Sequence, residues 1–130
     1  MASVEKTVLI EHSAARMFEL VDRCEDYPAF LPWCGRGELK QRDAQKTVAT
    51  LHINYHGIKA HFSTENTKRY PQEMKLRLTD GPFTHLDGHW RFTALGETAC
   101  KVEFQLRYQF ASKLLEKVLG GAKAREQAGG

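Results

Sequence analysis

From about residue 37 to residue 110, apolar residues recur at every second position, and this alternation limits the fold more than any other feature of the sequence. A period of two is that of a β-strand, whose successive side chains point to opposite faces. Gly57 and the Gly81-Pro82 pair interrupt the pattern where turns are expected. Consecutive amphipathic strands with short turns form an antiparallel sheet with one apolar and one polar face. We therefore predict an α+β fold with six or seven antiparallel strands.

The N-terminal third adds one strand and one helix. Val4, Val8 and Ile10 share a strand parity, so residues 3–11 are predicted as the first strand. Ser13 is the predicted N-cap of the helix that follows. The apolar residues at helical spacing after it are Ala14, Met17, Phe18 and Val21.

The end of the chain predicts a second, short helix from about Ser112, with Leu114, Leu115, Val118 and Leu119 as its apolar residues. Beyond it the periodicity stops, so residues 1–119 are predicted as one domain and residues 120–130 as a flexible tail. A chain of 130 residues is long enough for a single core.

Charge and hydropathy narrow the classes of function. The net charge of +3 is small, so direct DNA binding is not expected. No apolar run approaches the roughly 20 residues of a membrane-spanning helix. The first residues lack the pattern of a signal peptide, and a cytoplasmic location is expected.

The segment 26–34, Asp-Tyr-Pro-Ala-Phe-Leu-Pro-Trp-Cys, is rich in aromatic residues. Pro28 and Pro32 lack an amide donor and bias the preceding residues toward extended geometry, which excludes a regular helix or a central strand. A short helical turn over residues 25–30 remains compatible with this pattern. We predict a rigid apolar loop that packs on the core, on a ligand or on a partner.

The predicted apolar face of the sheet carries almost only aliphatic and aromatic side chains. Its members are Ala49, Leu51, Ile53 and Tyr55; Ile58, Ala60, Phe62 and Thr64; Met74, Leu76 and Leu78; Leu86, Trp90 and Phe92; and Cys100, Val102, Phe104, Leu106, Tyr108 and Phe110. No charged residue or histidine is expected there, so no catalytic acid–base pair is predicted. Two short helices cover little of such a face, which favours a cavity for an apolar ligand; complete filling by helix and loops is the alternative.

Histidines and cysteines do not indicate a metal site or a nucleophile. His85 and His89 have helical metal-site spacing, but they lie in a strand pattern that places them on the polar face, together with His52, His56 and His61. Cys24, Cys34 and Cys100 show no C-x-x-C spacing and are predicted to be free and buried.

Three motifs in order carry a resemblance to a known family. They are Tyr27-Pro28-x-Phe30-Leu31-Pro32, then Gly81-Pro82-Phe83, then Trp90 downstream. Over residues 3–119 the chain resembles the coenzyme Q-binding START-domain family. That family includes the bacterial ribosome-association toxins, and many of its members are described as polyketide cyclase/dehydrase proteins.

The resemblance implies a START-like helix-grip fold, in which a curved antiparallel sheet grips a C-terminal helix beside an apolar tunnel. It implies a hydrophobic ligand, which is ubiquinone in the respiratory branch, and no required cofactor. In the toxin branch it implies binding to the large ribosomal subunit and inhibition of translation. A polyketide aromatase/cyclase is the third alternative. Family members extend the C-terminal helix past position 119, and this chain replaces that stretch, so a more open cavity is expected.

We therefore predict non-enzymatic binding of ubiquinone or a related lipid. Phe30, Leu31 and Trp33 are expected to form one lip of the cavity, with Phe83 at the facing lip. The expected wall residues are Tyr55, Phe62, Leu86, Trp90 and Phe104. A hydroxyl of Tyr55 or Tyr108 would bind a quinone carbonyl, and no metal or catalytic residue is predicted.

Overall fold

A computed structural model describes residues 1–117. Seven strands form one antiparallel sheet in the order β1-β7-β6-β5-β4-β3-β2, which confirms the predicted strand count and fold class. The strands are β1 Ala2–Ile10, β2 Cys34–Arg42, β3 Lys46–Tyr55, β4 Ile58–Arg69, β5 Glu73–Asp80, β6 Phe83–Ala94 and β7 Cys100–Phe110.

One α-helix, α1 (Ala14–Asp22), and one 3₁₀ helix (Cys24–Ala29) connect β1 to β2. The Ser13 Oγ accepts a hydrogen bond from the Arg16 N–H at 3.1 Å, so the predicted N-cap is confirmed. Residues 113–117 are helical, in agreement with the predicted second helix. Val118, Leu119 and the predicted tail 120–130 lie outside the described residues.

The concave face of the sheet, which α1 covers in part, holds the core. Helix α1 packs against β6 and β7. The buried core between this helix and the sheet comprises Ala14, Phe18, Met74, Phe92, Cys100 and Val102. We refer to this region as the α1 half of the concave face. The Phe83 half is the rest of this face. It lies toward the end of the sheet at which β2, β4 and β6 begin and β3, β5 and β7 end.

The proline-rich segment carries the chain from the α1 half to the Phe83 half along β2. A Cβ atom at Gly37 would lie 1.8 Å from the carbonyl oxygen of Cys24, so only glycine permits the 3₁₀ helix to lie this close to β2. Farther along, the Trp33 carbonyl accepts a hydrogen bond of 2.8 Å from the Asn54 N–H at the end of β3. The segment is therefore preceded by a close contact with β2 at Gly37 and is hydrogen-bonded to the sheet at Trp33.

Strand β4 extends to Arg69, four residues past the end of its predicted alternation. Asn66 pairs with Thr47 and Lys68 pairs with Met74, so both lie on the concave face. Lys6 of the edge strand β1 shares this face, opposite Phe104, and is exposed. The prediction of a concave face without charged residues is wrong at Lys6 and Lys68, and Asn66 adds an uncharged polar side chain to that face. The period of two does continue through Asn66 to Lys68, with polar residues in apolar positions.

Candidate functional site on the Phe83 half of the concave face

Four aromatic rings contact one another in the Phe83 half. The ring of Phe83 lies at its centre, 5.6 Å from Phe62, 6.3 Å from Tyr108 and 4.9 Å from Phe110 between centroids. Tyr108 and Phe110 are 5.5 Å apart and meet edge to face. These separations are those of favourable aromatic pairs, so the rings form one continuous apolar surface across β4, β6 and β7. We call these four residues the aromatic cluster.

A β-bulge at the start of β6 places Phe83 in the aromatic cluster. The register with β7 shifts between Phe83 and His85, and Leu86 then pairs with Tyr108. Without this extra residue, Phe83 and Leu86 would point to opposite faces, because they differ by an odd number of positions. The bulge therefore aims Phe83 at the concave side, and its place at the lip of a cavity stays a prediction.

Gly81 allows the preceding turn to approach β4. It has a φ of 145°, and a Cβ atom there would lie 2.5 Å from the Cβ of Phe62. Both conditions require glycine. The glycine of the Gly81-Pro82-Phe83 motif therefore lets the turn lie close enough to β4 for Phe83 to contact Phe62.

The structure brings together some of the predicted site residues. Phe62, Phe83 and Tyr108 belong to the aromatic cluster, and Leu86 lies beside Tyr108. Phe110 was not predicted as a site residue, although its place on the predicted apolar face pointed to it. A ring pair of Trp90 and Phe104, with centroids 4.2 Å apart, lies closer to α1. Its Trp90 ring also stacks on Phe92 of the core at 6.0 Å, so this pair extends the packed rings of the α1 half.

The other predicted lip residues lie at the same end of the sheet as the cluster. Leu31 and Trp33 precede Cys34, the first residue of β2, and are half-buried. Phe30 is 50% exposed and packs edge to face on Tyr27, with centroids 5.7 Å apart. Among residues 1–117, no ring contact joins Phe30 or Trp33 to Phe83, so a shared cavity mouth stays a prediction.

Tyr55 lies at the tip of the β3–β4 hairpin, half-buried, with its ring 4.1 Å from that of His56. His56 and Gly57 both have positive φ, as a tight two-residue hairpin requires. The hairpin thus places a phenol at the same end of the sheet as the aromatic cluster.

The α1 half contains a buried ionic cluster that sequence reasoning missed. The carboxylate of Asp22, the last residue of α1, accepts a hydrogen bond of 2.6 Å from the Thr47 hydroxyl and one of 3.1 Å from the Lys68 ammonium. The Arg42 guanidinium donates two bonds, of 2.9 and 2.7 Å, to the Glu25 carboxylate. Because this bidentate bond favours the charged form, the pKa of Glu25 falls to about 2. Two cations and two anions therefore fasten α1 and the 3₁₀ helix to the sheet.

The arrangement limits the chemistry available on the concave face. The Lys68 side chain is 5% exposed and ion-paired with Asp22, so its charge is committed within the fold. The Cys34 thiol is buried, and burial raises its pKa, which disfavours the nucleophilic thiolate. All three cysteines are free and buried, as predicted.

The histidines of the meander lie on the polar, convex face as predicted. His52 pairs with His61 across β3 and β4, and His89 pairs with Lys75 across β5 and β6. Within residues 1–117, His, Cys, Asp and Glu form no group of three with metal-site geometry. In the same part of the chain, no helix is long and apolar enough to cross a bilayer.

Comparison with known proteins identifies the family. Residues 10–128 match the family described as polyketide cyclase / dehydrase and lipid transport. The chain belongs to this family. It is 35% identical over 120 residues to the ribosome association toxin RatA of Escherichia coli K12, covering 92% of this chain and 76% of RatA. It is 24% identical over 106 residues to the mitochondrial coenzyme Q-binding protein COQ10 homolog B of Xenopus laevis, covering 78% of this chain and 43% of that protein.

Solved structures of other proteins share the fold. A START superfamily protein from Mycobacterium smegmatis superposes with a TM-score of 0.75 at 20% identity, over 97% of this chain and 91% of that one. The Zhui aromatase/cyclase of Streptomyces sp. R1128 superposes with a TM-score of 0.74 at 18% identity, over 85% of this chain and 69% of that one. The fold is thus the START-like helix-grip fold, as the sequence motifs implied.

Proposed function

We propose that this protein binds a hydrophobic ligand against the aromatic cluster and catalyses no reaction on it. The observation that carries the proposal is the exposure of the cluster. Phe62, Phe83 and Phe110 are only half-buried, whereas the core rings Phe18 and Phe92 are 3% and 2% exposed. A fully covered aromatic ring buries about 150–250 Å², so the cluster retains apolar area that a ligand can still remove from water.

A quinone or related lipid fits this surface best. Aromatic rings provide flat apolar contact for a quinone ring or an isoprenoid chain, and the Tyr55 hydroxyl at the same end of the sheet offers a donor to a carbonyl oxygen. The similarity to a coenzyme Q-binding protein supports the same ligand class.

Within residues 1–117, the absence of a free acid–base pair on the concave face favours binding without catalysis. On the concave side, Lys68 and Asp22 are an acid and a base that lie side by side, as a catalytic pair would. They form an ion pair with each other at 3.1 Å, so neither is free to act on a substrate. An aromatase/cyclase needs a group that is free to move a proton at the substrate. The described part of the Phe83 half offers only tyrosine hydroxyls, and no carboxylate or histidine, beside the aromatic cluster.

Titration with a short-chain ubiquinone analogue tests the proposal. The two tryptophans report on different places, so single-tryptophan variants Trp33→Phe and Trp90→Phe assign the fluorescence change to the loop or to the concave face. We expect a saturable quench and a rise in melting temperature that follows ligand concentration.

Phe83→Ala should weaken binding at least about tenfold, the loss expected when a central aromatic anchor is removed. The matched control Tyr70→Ala, at an aromatic residue of the α1 half that is 56% exposed, should leave affinity unchanged. No saturable change in either signal would exclude the proposal.

Association with the large ribosomal subunit is a second candidate, and the relationship to RatA favours it. The similarity extends over 92% of this chain and 76% of RatA at 35% identity. A protein of this name is expected to act through a surface contact rather than through catalysis. Sedimentation with purified large subunits at low and moderate salt distinguishes this function. If the protein stays in the supernatant at both salt concentrations, the candidate fails.

A further inference from the structure

Exposed apolar side chains flank the end of the sheet that holds the aromatic cluster. Phe30 is 50% exposed and Leu114 is 67% exposed. Phe30 reaches this end because the Cys34 N–H, at the start of β2, bonds to the Leu31 carbonyl at 3.1 Å. Leu114 reaches it because the Ala111 N–H bonds to the Pro82 carbonyl at 2.8 Å, beside Phe83. Both side chains therefore border the region where a ligand would reach the cluster.

These two side chains stand on opposite sides of that end. Phe30 lies beside β2 and Leu114 follows β7, and the five strand spacings between them correspond to at most about 24 Å. The β3–β4 hairpin lies between them, and nothing lies within 4 Å of a Cβ placed at Gly57, so its tip is open. A flat, extended partner can therefore touch both sides and the hairpin at once.

Cations surround this end without ion-pair partners. Within residues 1–117, Lys59, Lys113 and Lys117 are exposed and have no carboxylate within ion-pair distance. The anions nearby are Asp80, 4.0 Å from His61, and Glu116. The end of the sheet thus combines apolar side chains with a small excess of unpaired positive charge.

We infer that this end of the sheet docks on an anionic lipid surface, from which the hydrophobic ligand enters. The inference rests on the proposed ligand binding and adds the place where the ligand is collected. Exposed Phe and Leu side chains among lysines are typical of surfaces that insert shallowly at the headgroup boundary. A ribosomal RNA contact would use several clustered cations and gains little from an exposed Leu114, and the charge excess here is small.

Flotation with lipid vesicles tests the docking. Vesicles of phosphatidylcholine mixed with phosphatidylglycerol are compared with vesicles of phosphatidylcholine alone, at low and high salt. We expect the protein to float with the anionic vesicles at low salt and to lose most of that binding at high salt, because salt screens exposed charges. The double variant Lys113→Glu/Lys117→Glu should lower the bound fraction about tenfold. Phe30→Ser and Leu114→Ser should each lower it by a smaller factor.

Matched controls separate docking from general changes in charge or hydropathy. Lys75→Glu reverses a charge on the convex face, and Leu20→Ser removes a leucine of α1 that is 45% exposed. Both should float like the unchanged protein. Flotation that is equal on neutral vesicles, or that the controls reduce as much as the Lys113→Glu/Lys117→Glu variant, would overturn the inference. So would the absence of flotation, whether or not the protein sediments with ribosomal subunits.

A titration without membranes separates this inference from the proposed function. The Lys113→Glu/Lys117→Glu variant should bind the short-chain ubiquinone analogue in solution as the unchanged protein does. If ligand binding is absent but charge-dependent flotation remains, the proposed ligand fails and the docking surface stands. If ligand binding is present but flotation is absent, the docking surface fails alone.

Discussion

Both halves of the concave face carry the same alternation of apolar residues in the sequence. In the structure they differ in how deeply their aromatic rings are buried. Under α1 the rings of Phe18 and Phe92 are almost completely buried, and Asp22 is paired with Lys68. In the Phe83 half the four rings contact one another. Phe62, Phe83 and Phe110 stay half-buried, whereas Tyr108 is 8% exposed. Because buried apolar area provides most of the stability of a fold, the α1 half should hold the fold together. We expect the Phe83 half to contribute less to stability, in keeping with the ligand site proposed there.

Replacing one ring in each half gives the most direct test of this comparison. Phe18→Ala removes a ring that is 3% exposed and contacts Tyr70 and Phe92, so it should lower the free energy of unfolding by about 4 kcal/mol. Phe83→Ala removes a half-buried ring and should cost about half as much while abolishing most ligand binding. Urea unfolding measures the first quantity and quinone titration the second.

The comparison fails if the two substitutions cost the same stability. It also fails if Phe18→Ala, in conditions where the variant remains folded, weakens quinone binding as much as Phe83→Ala does. In that case the two halves would form a single core, and the exposure of the aromatic cluster would have no functional meaning.

The ionic cluster of the α1 half should have the next largest effect. Asp22→Ala leaves the Lys68 ammonium, 5% exposed, without its counter-ion and removes the acceptor for the Thr47 hydroxyl. A buried charge that loses its partner is strongly destabilising, and we expect a loss of about 3 kcal/mol in urea unfolding. Asp80→Ala removes an exposed carboxylate and should change the free energy of unfolding by less than about 0.5 kcal/mol.

A double variant at Asp22 and Lys68 shows whether their ion pair itself adds stability or only prevents an unpaired buried charge. The double variant Asp22→Leu/Lys68→Met removes both charges, and its loss should be smaller than that of Asp22→Ala, because no unpaired charge remains. If the double variant is less stable than Asp22→Ala, the ion pair itself is a net source of stability.

Local sequence signals were sufficient for much of the fold. The strand alternation, the Ser13 cap and the turns at Gly57 and Gly81 depend on neighbouring residues, and the structure has them where the sequence predicts them. The resemblance of three short motifs to a family was enough to predict the helix-grip architecture.

The site was predicted less completely, for reasons that are not local. Lys68 has the parity of a core position, but a lysine becomes tolerable there only because Asp22, 46 residues earlier in the chain, supplies its counter-ion. The orientation of Phe83 depends on a bulge that comes from pairing with β7. Neither partner can be identified from one strand's pattern, so pairing between distant segments was the missing information.

The smallest expected effect concerns pH and links the α1 half to the proline-rich segment. Glu25 lies in the 3₁₀ helix, and its bidentate bond with Arg42 lowers its pKa to about 2 from an ordinary value near 4.5. A carboxylate whose pKa is lower in the folded state stabilises the fold above its unfolded pKa and loses that contribution as the pH falls toward its folded pKa. The stabilisation should therefore be complete above about pH 5 and disappear between about pH 4.5 and 2.

Glu25→Gln should show this dependence in urea unfolding at a series of pH values. The Glu25 side chain is 31% exposed, so solvent screening reduces the expected cost near neutral pH to about 1–2 kcal/mol. The difference between the variant and the unchanged protein should shrink as the pH falls through this range. Arg42→Met should make the acid limb of the profile shallower in the same way, because it removes the bond that lowers the pKa. If all three proteins lose stability equally steeply below pH 5, the ion pair does not fasten the 3₁₀ helix, and Gly37 with the backbone bond at Trp33 must hold the segment on the sheet.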